Sequence, residues 1–272
     1  MSRDDYRASG NRRGRRTEKR RPPRTASAPG EHYLYGLHTV AAALANPVRQ
    51  HHRLLVTANA ARRLQLADKA LTLAVEEVDV RALDRLVGGD AVHQGCVLFC
   101  DPLPEPDIGA LSESRRLLGL DQVTDPHNGG AILRNAAAFA VDALIVTSRH
   151  SPQETAVLAK SAAGALDLVP IARVRNLSQT IEDLRLAGHL TVGLAGDAEY
   201  ALDGLALREP FALVLGAEGK GLRQKTRDTC EALGRIDMPG EIASLNVSNA
   251  AAVALYISDR AVRGQAGANR SG

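Results

Sequence analysis

The chain has 272 residues, 44% of them hydrophobic, with 34 Lys and Arg against 31 Asp and Glu. That suits one large domain or two modest ones of ordinary globular composition. No apolar run approaches the roughly 20 residues of a membrane span, and no apolar stretch follows the basic N-terminus as a secretory leader requires, so a cytoplasmic protein with no membrane partner is expected.

Charge is unevenly placed along the chain. Residues 1–30 hold ten Lys or Arg and three acids, about +7; the whole chain is +3, which leaves about −4 for the rest. The run "NRRGRRTEKRRPPR" has no aromatic and almost no aliphatic residue to bury. It predicts a disordered basic tail over 1–32, which attracts polyanions, above all nucleic acid.

Folded structure is predicted from "YLYGLHTVAAALAN" (33–46), where Gly36 precedes a helical pattern that Asn46-Pro47 ends. "HRLLVTA" (52–58) reads as a strand, and so does the run "CVLFC" (96–100). Cys96, Cys100 and Cys230 form no metal-ligand cluster and read as buried thiols in a reducing compartment. Prolines 102, 104 and 106 then break regular structure. A small first domain is expected over 33–103, a linker over 104–114, and a larger domain over 115–265.

In the larger domain, short apolar strands alternate with helices. "RRLLGLDQV", "DALIVTS", "LVPIARV", "LTVGLAG", "FALVLGAEG" and "GRIDMPG" are strands; "AILRNAAAFA", "QETAVLAKSAAGAL" and "SQTIEDLRLAG" are helices, and a last helix starts near 247. That alternation predicts an α/β fold with a parallel sheet covered on both faces. Ligands then bind beyond the C-terminal strand ends, where "DQVTDPHNGG", "GAEGKG" and "PGEIASLNVSN" fall.

"VLGAEGKGL" (214–222) is neither a P-loop, since Val214 stands at the first glycine position and Gly221 at the last, nor a dinucleotide fingerprint. Gly216, Gly219 and Gly221 permit positive φ and close backbone approach, with Glu218 poised between them. A valine at Gly216 is expected to fill the ligand slot without unfolding the chain. In "DPHNGGAILRNAAAF" (125–139), Asn128 is placed at a helix N-cap, His127 is read as loop structure, and Arg134 flanks the apolar stripe of Ile132, Leu133 and Ala136. In "EIASLNVSNAAAVALYI" (241–257), Ser244, Asn246, Ser248 and Asn249 crowd the mouth of an apolar helix, where capping needs one of them. Ile242 and Leu245 alternate with polar residues and could line a slot for a flat ring.

Together the three loops resemble the three motifs of the SpoU (TrmH) family of RNA 2′-O-ribose methyltransferases, of the SPOUT class: "LDQVTDPHNGGAILRNA", "LVLGAEGKGL" and "IDMPGEIASLNVSNAAAVALY". The front part, with "YGLHTVAAAL" and "AVHQG", resembles the small α/β RNA-binding domain of bacterial 23S ribosomal RNA guanosine 2′-O-methyltransferases. The resemblance implies a deep trefoil knot, S-adenosylmethionine as cofactor without a metal, ribosomal RNA as partner and a homodimer. It carries cofactor contacts onto Gly216, Ile236 and Leu245. It carries the catalytic cluster onto Asn128, Arg134, Glu218, Ser244 and Asn246. Asn249 departs from the family, which has a small apolar residue there. A transfer RNA 2′-O-methyltransferase, an antibiotic-resistance methylase and a non-catalytic ribosome-assembly factor are the alternatives.

Overall fold

A computed structural model describes residues 32–66, 72–149, 151, 154–241 and 244–268. The tail expected over 1–32 lies outside these residues except for His32.

The front of the chain forms a four-stranded sheet from β1 (Tyr33–Tyr35), β2 (His51–Val56), β3 (Ala74–Glu77) and β4 (Cys96–Cys100), in the order β1-β4-β2-β3. Strand β4 pairs antiparallel with β1 and β2, while β2 and β3 run parallel. Three helices accompany it: α1 (Leu37–Ala45), α2 (Ala58–Arg63) and α3 (Val80–Val87). The unbroken apolar run of β4 has a direct cause, because both its faces are covered. Cys96, Leu98 and Cys100 join Leu34, Val40 and Leu54 on one side. Val97 and Phe99 meet Leu83 of α3 and Leu55 on the other. Burial pushes the Cys96 and Cys100 thiols up to about 11 and the Cys230 thiol up to about 12, so all three are poor nucleophiles at neutral pH. The strand expected over 52–58 ends at Val56, because Thr57 caps α2 by accepting from the Ala60 amide at 3.3 Å.

The remainder alternates β5 (Arg116–Asp121), α4 (Pro126–Ala138), β6 (Ala143–Thr147), α5 (Ala156–Ala162), β7 (Ile171–Val174), α6 (Leu177–Leu186), β8 (Leu190–Leu194), β9 (Tyr200–Ala201), β10 (Phe211–Gly216), α7 (Gln224–Thr229), β11 (Ala232–Arg235) and α8 (Val247–Ala268). Its seven strands are ordered β7-β6-β5-β10-β8-β11-β9 and every pairing is parallel. Alternate residues of each strand face opposite layers. Leu118, Leu120, Val146 and Leu213 pack with Ile132, Leu133, Leu158 and Leu255 of α4, α5 and α8. Leu117, Ile145, Val174 and Val214 pack with Leu177, Ile181 and Leu184 of α6. From β5 the chain builds β6 and β7 on one side and later adds β10 and β8 on the other. The order therefore reverses between β5 and β10, and a crevice opens at their C-terminal ends.

The front sheet is not loosely tethered. Arg49, with its side chain fully buried, bonds Asp167 at 2.7 Å and Glu154 at 2.7 Å. Its guanidinium also donates to the Asp101 carbonyl at 2.9 Å. Burial alone would lower the Arg49 pKa, but the hydrogen bond to Asp167 and the charge of Glu154 more than offset it and hold the group firmly protonated. Around this hub, Thr39 donates to the Ala159 carbonyl, Asn46 to Asp167, and Lys160 to Gln94 at 2.6 Å. Breaking a buried pair from one side leaves a charge uncompensated. Arg49→Ala is therefore expected to cost about 3–5 kcal/mol in urea unfolding. The double change Arg49→Met with Asp167→Leu should cost clearly less, and equal losses in both variants would refute a pairing role for Arg49.

Candidate active site

The site begins at the end of β5. Asp121, buried, accepts from the Arg223 amide at 3.0 Å, from Arg223 Nε at 2.7 Å and from Thr226 Oγ1 at 2.8 Å. Sequence reasoning passed over it, although a carboxylate closing an apolar strand was the available signal. These bonds fasten the loop that follows β10 to the end of β5. Within that loop the Gly221 amide donates to the Ala217 carbonyl at 2.8 Å, and Gly219 and Gly221 take φ of 76° and 66°. Gly216 has a stricter reason to be glycine, since a Cβ there would lie 2.0 Å from the Gly221 carbonyl carbon. The expectation that valine at Gly216 would merely fill the slot is thus corrected, because it would force the closed loop itself apart.

The N-cap of α4 is Asp125, not Asn128. Its carboxylate accepts from the His127 amide at 3.0 Å and the Asn128 amide at 3.4 Å, with Pro126 opening the helix. His127 sits in the first turn rather than in a loop, and its Nδ1 lies 3.2 Å from Ser161 Oγ. Freed from capping, Asn128 turns its amide to the start of α8, where its Oδ1 accepts from Asn246 Nδ2 at 3.0 Å. Asn246 Oδ1 in turn accepts from the Ser248 amide at 2.9 Å and Ser248 Oγ at 2.6 Å. Of the four polar residues crowded at the mouth of α8, Asn246 is the one that caps it. Asn135 of α4 clamps the Ser248 carbonyl at 2.9 Å. Asn249 is exposed at the helix surface.

Two cavities adjoin here. One, of about 310 Å³, is walled by Leu215, Gly216, Ile236, Met238, Ser244 and Leu245 at the ends of β8, β10 and β11. The other, of about 520 Å³, is lined by Gln122, Thr124, Asp125, Asn128 and Lys220. Ala217, Glu218 and Val247 belong to both. The structure thus gathers Asn128, Glu218, Ser244, Asn246, Gly216, Ile236 and Leu245 around one place. It does not gather Arg134, which is exposed on α4, lines neither cavity and forms no ion pair with Glu218. Ile242 lies outside the described residues. Among the described residues no group of three or more His, Cys, Asp or Glu could hold a metal ion, and no helix is long and apolar enough to cross a membrane.

A larger cavity, of about 620 Å³, lies between the proline segment 102–105 and Leu166–Ile171. It is the seam between the two sheets' surroundings, and its carboxylates Glu154 and Asp167 are already engaged by Arg49. The smaller pair of cavities, at the reversal of strand order, has the free polar groups.

The SpoU rRNA Methylase family matches residues 115–256, and the pattern described as RNA 2′-O ribose methyltransferase substrate binding matches residues 33–106. The 23S rRNA (guanosine-2′-O-)-methyltransferase RlmB of Photobacterium profundum is 40% identical over 82% of this chain and 95% of that protein. The protein of the same name from Vibrio cholerae is 41% identical over 82% of this chain and 94% of its own. The SpoU methyltransferase AviRb from Streptomyces viridochromogenes, crystallised with AdoMet, shares the fold, with a TM-score of 0.72 at 24% identity over 85% of this chain and 90% of that one. With its first-strand, glycine-loop and C-terminal motifs converging on one crevice, the chain belongs to the SpoU rRNA Methylase family.

Proposed function

We propose that the protein transfers a methyl group from S-adenosylmethionine to the 2′-hydroxyl of a guanosine ribose in 23S ribosomal RNA, in the cytoplasm. The observation that carries this is the pair of adjoining cavities with Glu218 at their junction and the Asn128–Asn246 hydrogen bond beside it. The relatives named for that reaction support the choice of substrate. Residues 33–103 would serve as the small RNA-binding domain, 104–114 as linker and 115–265 as the methyltransferase domain. The segment from β11 into α8 would close the deep trefoil knot. Its passage beside the Gly216–Gly221 loop, both lining one cavity, supports that path.

The smaller cavity fits the cofactor. Ile236, Met238 and Leu245 offer apolar walls to a flat ring, and the side-chain-free surface at Gly216 lets the backbone close on it. When bound, the cofactor supplies a methyl group already activated on a sulfonium. The chain's own part is to place a ribose hydroxyl in line and accept its proton. The adjoining cavity of about 520 Å³ would receive the ribose, with Asn128 and Asn246 holding its hydroxyl groups. Glu218, at the junction, would receive the proton, and Ser244 would bound the slot.

Arg134 lines neither cavity of its own chain, so its carry-over from the family would place it in the site of a second copy. Tyr256 and Val253 of α8 and Leu245 just before it are 57%, 36% and 37% exposed, a surface for that homodimer. Arg134→Ala is expected to keep the fold and cofactor affinity and to lower methyl transfer roughly 100-fold, the scale of a lost positioned group. Co-expressed with Asn128→Ala, it should recover part of the activity in mixed dimers. Absence of recovery, or a monomer by light scattering with full activity, would refute the arrangement.

Asn246 separates capping from chemistry. Asn246→Asp keeps the oxygen that caps α8 but loses the Nδ2 donor to Asn128. It should unfold within about 1 kcal/mol of the parent, the worth of a retained cap, yet lose methyl transfer. Wild-type turnover in that variant would remove Asn246 from the site. The reading as a whole is tested by calorimetry with S-adenosylmethionine in the absence of RNA, and by mapping ribose methylation on 23S ribosomal RNA with and without the protein. Cofactor binding with methylation confined to transfer RNA would establish the alternative substrate instead.

A further inference from the structure

The C-terminal edge of the large sheet continues past the two cavities to β6 and β7. There Ser148, Arg149 and Arg175 line a further cavity of about 420 Å³ with no carboxylate among them. Arg149 follows β6 by two residues. The Ser148 amide donates to the Val174 carbonyl at 2.8 Å, Thr147 Oγ1 donates to the Arg149 carbonyl, and Thr147 Oγ1 lies 3.2 Å from Ser151 Oγ. Arg175 follows β7 directly, next to Asn176, which caps α6 by accepting from the Gln179 amide at 3.3 Å. Both arginines are exposed and neither forms an ion pair among the described residues. Their neighbour Arg173 is 3.6 Å from Glu105, and Arg116, Arg223, Arg227 and Arg235 each hold an acid. Two adjacent guanidinium groups without a counter-charge repel one another, and an anion relieves that repulsion.

We propose that Arg149 and Arg175 clamp a backbone phosphate of the RNA strand that flanks the target nucleotide, an inference that rests on the methyltransferase reading. Register in the sheet supports it. The patch lies between β6 and β7, and the ribose cavity between β5 and β10, two interstrand spacings away or about 10 Å. A single strand covers that distance within a few nucleotides, and Lys220 in the ribose cavity continues the positive line. Guanidinium suits the task because its planar fork meets phosphate oxygens in pairs. The clamp would set the direction in which the strand crosses the sheet edge, from the smaller sheet's side toward the methyl donor.

The test uses the full chain and a 23S ribosomal RNA transcript, with binding followed by anisotropy between 50 and 200 mM salt. In the double variant Arg149→Ala, Arg175→Ala the slope of log affinity against log salt should fall by about 0.7, the share of the one single-strand phosphate contact that the pair makes. KM for RNA should rise roughly 10-fold or more, the scale of a lost charge-assisted hydrogen bond, while kcat and cofactor affinity stay unchanged. The double lysine variant should restore the slope but not KM, because charge returns without the fork. Arg208→Ala, which removes a guanidinium at the opposite end of the strands, where it bonds the Gly188 carbonyl, should leave slope and KM as in the parent. A double alanine variant with the parent's slope and KM, or an equal effect from Arg208→Ala, would overturn the clamp. If the parent binds RNA but transfers no methyl group, the activity reading fails, and the salt slope still decides the clamp.

Discussion

Strands β5 and β10 pair in parallel from Arg116 opposite Phe211 to Asp121 opposite Gly216, although the chain between them has first built β6 and β7 on the far side and then β8. Parallel pairing sends the loops after both strands to the same edge. Reversal of the winding between them keeps any helix from covering that edge. Both loops are thus placed face to face, and Asp121 locks them: its two oxygens take three donors from Arg223 and Thr226 on the far loop. Three donors on one buried carboxylate are worth more than a neutral contact, since hydrogen bonds to a charged group contribute about 1.5–3 kcal/mol each against about 1 for neutral ones. The loop after β10 is rigid at its far end for that reason, and at its near end because Gly216 lets it fold against Gly221.

Helix α8 brings the third part of the site and is held at its start and near its middle. At its start, Asn246 and Ser248 are tied to Asn128 and Asn135 of α4. Further along, Asp259 accepts from Arg116 at 2.9 Å, and Arg116 is the first residue of β5. The helix therefore runs back across the sheet from the C-terminal edge to the N-terminal edge. Buried Val247, Ala251, Ala254 and Leu255 face the sheet, while Val253 and Tyr256 face outward. An apolar helix with a small-residue inner face and a large-residue outer face asks for partners on both sides.

Much of this was legible in the sequence because it depends on short-range pattern. The alternation of apolar strands with helices gave the parallel sheet, and polar clusters after strands gave the crevice. What escaped was set by distant pairing. Nothing near Arg49 in sequence hints that it is buried, because Glu154 and Asp167, which neutralise it, lie more than a hundred positions away. Asn128 reads as a cap from sequence because it opens an apolar stripe. Yet Asp125 followed by Pro126 is the stronger signal, since proline suits the first helical position and an acid before it suits the cap. The family resemblance carries Arg134 into the catalytic cluster, but its flank position alone does not distinguish the flank that meets α8 from the flank that meets solvent. The motif spacing located the loops; the inter-residue bonds decided which side chains face one another.

The proton is the remaining constraint on the proposed chemistry. Methyl transfer from a sulfonium leaves a neutral thioether, so the ribose oxygen must shed its proton as the new bond forms. A guanidinium stays protonated, with a pKa above about 12, so freeing one as a base at neutral pH costs at least about 7 kcal/mol before any reaction begins. That is about half of a barrier of 16 kcal/mol, which corresponds to a turnover near 10 per second. A carboxylate needs no such preparation. Glu218 is the acid placed at the junction of the two cavities, and it forms no ion pair among the described residues. An arginine delivered from a second copy would then act on the phosphate next to the reacting ribose and leave the proton to Glu218. On that proposal the two charges would serve the same step from opposite sides.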